Sequence, residues 1–135
     1  MNILQPPGWA PPKGYANGIA AEGRLVVTAG QIGWNPETCQ IETDDFVEQV
    51  AQTLRNVVAV LKEAGAEPRH VVRLTWYITD KAAYLAGQRE IGRVYREVMG
   101  RSFPAMAVVV VAGLLEGRAK VEIEGTAVVG VEDRP

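Results

Sequence analysis

The sequence predicts a single α+β domain: a mixed sheet with two helices on one face, in the order β-β-α-β-α-β-β. Three observations predict it. Apolar residues recur at helical spacing in two stretches, they alternate in the segments between, and glycines and prolines punctuate the joints. The 135 residues suit one domain, residues 1–135, which buries roughly two-thirds of its unfolded surface and needs no disulfide staple.

Pro6, Pro7, Pro11 and Pro12 make residues 1–13 an extended arm, because proline fixes φ and removes the backbone donor. Trp9 in that arm docks either on the body or on a ligand. Residues 18–21 and 24–29 read as a hairpin around Glu22-Gly23, and Asn35-Pro36-Glu37-Thr38 marks a turn. Thr43-Asp44-Asp45 places acceptors and acids at a helix start. Phe46, Val47, Val50, Leu54, Val57, Val58 and Leu61 then follow the helical period, and Gly65 and Pro68 end it.

Residues 71–79 alternate as a strand, with Val72, Leu74, Trp76 and Ile78 on one face and Val71, Arg73, Thr75 and Tyr77 on the other. Asp80 caps a second helix whose apolar side includes Tyr84, Leu85, Ile91, Val94, Tyr95 and Val98, ending at Gly100. Residues 105–112 and 119–129 are the last two strands, and the charged tail 132–135 is expected to fray.

Right-handed crossovers lay both helices on one face of the sheet. Residues 106–111 are nevertheless apolar on both faces, as in a strand covered twice. The second face therefore needs a cover, and another copy of the chain is the simplest one. Apposed sheets in such an oligomer create clefts between subunits, where ligands commonly sit.

Counting excludes several chemistries. His70, Ser102 and Cys39 are each the only residue of their type, so a His/Cys metal cluster cannot be built within one chain. No nucleophile-elbow motif surrounds Ser102. A net charge of −2 offers no basic stripe for nucleic acid. A lone cysteine suits a reducing, cytoplasmic setting. Residues 1–12 lack the pattern of a secretory signal, and no apolar run has the length of a membrane span.

On the last strand Val121, Ile123 and Val129 alternate with Glu122, Glu124 and Thr126, so the glutamates face away from the helices, with Arg73 and Tyr77. Glu122 and Glu124 are either structural or solvated charges, or a carboxyl group for proton transfer in a subunit cleft. Gly30-Gln31-Ile32-Gly33 is either a strand exit that needs permissive backbone or a set of N–H groups able to hold a carboxylate.

Several segments, in this order and spacing, resemble the RidA family, also called YjgF or L-PSP. They are Gly14-Tyr15-Ala16-Asn17-Gly18, Thr28-Ala29-Gly30-Gln31-Ile32, Asn35-Pro36-Glu37-Thr38, Ala64-Gly65-Ala66, Tyr77-Ile78-Thr79-Asp80, Phe103-Pro104-Ala105 and Val121-Glu122-Ile123-Glu124. The resemblance implies a chorismate-mutase-like fold, a homotrimer whose sheets form a central barrel, and small-molecule pockets between subunits. It also implies cofactor-free hydrolysis of reactive imines and enamines. By position, Glu122 is the catalytic glutamate, and Tyr15, Gly30, Gln31 and Met106 are substrate-binding positions.

Met106 is a departure, because the family has an arginine there that grips the substrate carboxylate. Methionine has no donor with which to replace it. Val108 stands where a cysteine is common, and Gln88 is the candidate for an asparagine of the second helix. Arg73 and Arg101 are candidate replacement cations. Three functions follow: an imine or enamine deaminase using Glu122, a metabolite-binding trimer without turnover, and the ribonuclease or translation inhibitor implied by the L-PSP name. Acidic charge and a single histidine give the third little support.

Overall fold

The computed structural model describes residues 1–130, so the tail 132–135 lies outside the described residues. The strands are β1 (Asn2–Leu4), β2 (Gly18–Ala20), β3 (Arg24–Val27), β4 (Gln31–Ile32), β5 (Trp34–Asn35), β6 (Gln40–Ile41), β7 (Val71–Ile78), β8 (Ala105–Val110) and β9 (Val121–Val129). The helices are α1 (Phe46–Lys62), α2 (Lys81–Ala86) and α3 (Gln88–Met99).

The main sheet runs β3-β9-β7-β8, with β4 also paired to β9. Strands β7 and β8 are parallel, joined by a crossover through α2 and α3, whereas β9 is antiparallel to β3, β4 and β7. This is the predicted mixed α+β sheet, with the helices packed on one face. Leu54, Val57 and Leu61 of α1 and Ile91 and Val94 of α3 meet Leu74, Ile78, Val121 and Ile123 in one buried cluster.

Local chemistry sets the helix ends. The Asp45 carboxylate accepts the Glu48 N–H at 2.9 Å, and the Asp80 carboxylate accepts the Ala83 N–H at 3.0 Å. After α1, the N–H of Ala66 returns to the Leu61 carbonyl while Gly65 takes φ +74°, the left-handed conformation that glycine tolerates.

Four expectations need correction. Residues 18–21 and 24–29 do not pair as a hairpin. Strand β2 pairs instead with β1 of the folded-back arm, in the register Ile3↔Ile19, and β3 pairs with β9. Gly23 makes the corner at φ +149°, pressed so closely on β9 that a Cβ there would lie 2.2 Å from the Val129 carbonyl oxygen. The long β9 offers β3 a four-residue ladder, which the three-residue β2 cannot match.

The second helix is not continuous. It breaks at Gly87, which ends α2 and begins α3, and leaves Leu85 exposed. The alternation at the start of β7 is reset by an irregularity between Val71 and Arg73, so Val71 is buried in the core and Val72 only half-buried. Trp9 is not docked on the body: it stands 61% exposed.

The face of the sheet opposite the helices carries apolar groups in the open. Leu25 and Val27 are 65% and 63% exposed, and they pair across the ladder with Val128 and Thr126. Strand β8 ends the sheet order, and Val108, Val109 and Val110 at its C-terminal half are all exposed. The uncovered surface is therefore a face and an edge together. No described helix is long and apolar enough to cross a membrane.

Candidate functional site

Apart from Tyr15, the predicted site residues fall into two groups on opposite faces of one chain. In the first, Gly30 abuts the carboxylate of Glu122: a Cβ at Gly30 would lie 2.5 Å from Glu122 Oε2 and 2.7 Å from its Cδ. Gly30, Gln31 and Glu122 line a depression of about 420 Å³ together with Ile32, Trp34 and the loop residues Leu115 and Glu116.

Buried amides of α1 position this half. Asn56 Nδ2 donates to the Ile32 and Trp34 carbonyls at 2.9 and 3.0 Å. Gln49 Nε2 donates to the carbonyls of Thr43 and Arg118, and its Oε1 accepts the Lys120 N–H. Thr28 Oγ1 accepts the Gly125 N–H at 3.0 Å. The stretch from Thr28 to Trp34 is thus tied to α1 and to β9, with Gln49 satisfied by backbone and Asn56 by two carbonyls and the Gln52 amide.

Glu122 and Glu124 share the open sheet face, as alternation predicts, and Tyr77 lies opposite Glu122 in the ladder. The Tyr77 hydroxyl donates to Glu124 Oε1 at 2.8 Å, so Glu124 has a partner of its own. That hydrogen bond, then burial and the nearby negative charge of both glutamates, hold the Tyr77 phenol above its ordinary pKa of 10.0, while Arg73 opposes them.

Met106 belongs to the second group. It pairs with Leu74 and packs against the helix-side core, whereas Arg73, Thr75 and Tyr77 pair with Ala105, Ala107 and Val109 on the open face. Met106 and Val108 line a cleft of about 350 Å³ between the edge of the sheet and α3. Gln88 lines it as well, together with Lys13 and Gly14 of the arm. The arm is held there by a bridge between Ala16 and Ala105 and by the Ala16 N–H donating to the Pro104 carbonyl. Tyr15 stands between these anchors, exposed, and lines neither depression.

The two cations proposed to replace the arginine do not reach this cleft. Arg73 is on the other face of the sheet, and Arg101 lines a separate depression with Met1, Ile3 and Phe103. Lys13 and Arg96 line it instead. Arg96 was legible in principle, because Gln88, Gly92 and Arg96 recur every four residues and all line the cleft. The isolated histidine and serine are structural: His70 is buried with Nδ1 accepting the Glu67 N–H, and the Ser102 hydroxyl donates to the Pro68 carbonyl.

The family model described as Endoribonuclease L-PSP matches residues 8–129. The chain belongs to the RidA (YjgF/L-PSP) family. Its relatives include a RutC family protein of Aquifex aeolicus, 35% identical and covering 93% of this chain and 97% of the relative. The 2-iminobutanoate/2-iminopropanoate deaminase of Capra hircus is 36% identical over 86% of this chain and 80% of its own length. Among solved structures, the Rid-family protein YyfB of Yersinia pestis superposes with a TM-score of 0.82 at 29% identity, covering 94% of this chain and 97% of that one. TdcF of E. coli, solved with bound serine, is similar with a TM-score of 0.67 at 30% identity, over 95% and 98% of the two chains. The RidA fold thus accounts for the architecture.

Proposed function

We propose that this RidA-family chain hydrolyses small imines or enamines at clefts completed between copies of itself in a homotrimer. The observation that carries the reading is the contact of Gly30 with the Glu122 carboxylate, on the face of the sheet that the helices leave uncovered. Glu122 and the Met106 cleft lie on opposite faces, so one chain cannot bring them to one ligand. A second copy laid on the exposed Leu25 and Val27 face or along the Val108–Val110 edge supplies the missing half. The deaminase relatives and the serine bound to TdcF support a small amino-acid-derived substrate.

In the hydrolysis, Glu122 accepts a proton from water as its oxygen adds to the C=N carbon, and passes that proton to the imine nitrogen to give a neutral carbinolamine. Glu122 then takes the carbinolamine hydroxyl proton and delivers it to the same nitrogen as the C–N bond breaks, leaving a C=O bond and ammonia. Every proton taken from water ends on ammonia.

A second reading is favoured by Met106. Without an arginine fork at that position, the trimer binds a metabolite without turning it over. The two are separated by following ammonia release from 2-iminobutyrate and 2-iminopropionate generated in situ. Turnover that falls by about 10²-fold or more in Glu122→Gln, at unchanged native mass, supports the hydrolase. Turnover no faster than buffer leaves the binding reading.

A further inference from the structure

The Met106 cleft contains more positive charge and more aromatic surface than a site for a two- or three-carbon acid requires. Lys13 and Arg96 line it, and none of its lining residues is an aspartate or glutamate. Among the described residues neither cation has a side-chain hydrogen bond or ion pair, although the neighbouring Arg93 on the same helix is held by Glu90 and Glu97. The Arg96 guanidinium lies back over Gly92, whose added Cβ would sit 3.3 Å from its Nη1, so the glycine leaves room for it at the cleft.

The walls are two aromatic pairs. Trp76 and Tyr84 meet edge to face at 6.4 Å, and Tyr95 stacks on Phe103 at 5.6 Å. Trp76 is buried, and its indole N–H has no hydrogen-bond acceptor among the described residues. Unpaired cations and aromatic walls together define a complementary ligand: an anion with an apolar, planar body.

We propose that Arg96, with Lys13, takes over carboxylate binding that Met106 cannot provide, and that the cleft selects 2-oxo and 2-imino acids with aromatic side chains. The inference rests on the reading of this cleft as half of the site, but its test requires no turnover. A cleft of about 350 Å³ falls at the lower end of ordinary ligand sites and leaves much of its space empty around pyruvate. Phenylpyruvate matches both its charge and its walls.

The test is calorimetric titration of the intact oligomer with phenylpyruvate, pyruvate and the neutral ketone phenylacetone, with Trp76 fluorescence in a Trp9→Phe, Trp34→Phe background as a second readout. Phenylpyruvate should bind at least about tenfold more tightly than either other compound. Arg96→Gln should weaken phenylpyruvate by about 10- to 100-fold, with Arg96→Lys in between and phenylacetone unaffected. Arg93→Gln, on the same helix but outside the cleft, should bind phenylpyruvate as wild type does. Unchanged phenylpyruvate affinity in Arg96→Gln overturns the assignment. Pyruvate binding as tightly as phenylpyruvate overturns the aromatic selectivity.

Discussion

Gly30 lies against the Glu122 carboxylate with no room for a side chain: a Cβ at residue 30 would stand 2.5 Å from Oε2. Gly30→Ala must therefore move the carboxylate or the backbone. Displacement of a reacting group by about 1 Å costs on the order of 10²-fold in rate. Gly30→Ala is expected to lower imine hydrolysis by about that factor with helical content and native mass unchanged. Circular dichroism with ammonia-release kinetics checks it, and an alanine variant as active as wild type removes Glu122 from the chemistry.

Tyr77 offers a pH prediction that does not depend on substrate. Its phenol is held above 10.0 chiefly by donating to Glu124. A group whose folded pKa is raised contributes stability that is fully present below its unfolded pKa. That stability is lost as pH rises through the folded value. Wild type should therefore lose stability relative to Tyr77→Phe only above about pH 10. Urea unfolding of both proteins between pH 8 and 11 measures the difference, and a gap that is already closing below pH 9 contradicts the hydrogen bond.

The open face makes an assembly prediction. Val27 is 63% exposed and sits opposite Thr126 on β9. If a second copy covers it, Val27→Glu buries an unpaired charge there, which costs about 3 kcal/mol or more. Sedimentation should show wild type as a trimer and the variant dissociating at concentrations at least about a hundredfold higher. A wild-type monomer at micromolar concentration rejects the shared site.

Met106 faces the helix-side cleft with Val108, so an arginine there enters that cleft. Met106→Arg adds a bidentate carboxylate donor worth about 1.5–3 kcal/mol. Turnover of 2-iminobutyrate should rise by one to two decades at low substrate. No gain in Met106→Arg, together with unchanged phenylpyruvate affinity in Arg96→Gln, would mean that the cleft does not receive the substrate carboxylate.

Much of this architecture was legible in the sequence because periodicity is a local signal. The capped start of α1, the inward row Leu74, Trp76 and Ile78, and the outward Glu122 and Glu124 follow from spacing alone. Pairing partners are not local. The choice of β9 over β2 by β3, and of β2 by the proline-rich arm, depends on ladders closed over long stretches of chain. The amides Gln49 and Asn56 read as ordinary polar helix positions, yet both are buried and hold the Gly30 and Glu122 half in place. The separation of Met106 from Glu122 required knowing that Met106 pairs with Leu74 while Glu122 pairs with Tyr77.

That separation is the central claim, and mixed oligomers test it most directly. Glu122→Gln removes one half of the site, and Gly92→Trp fills the cleft that forms the other. The two variants, each with little hydrolysis of 2-iminobutyrate, are co-refolded in equal amounts. If each site joins the Glu122 face of one copy to the Met106 cleft of another, about a quarter of the sites recover both intact halves. Activity should then return to about a quarter of wild type. Activity that stays at the average of the two separate variants would contradict a site shared between copies.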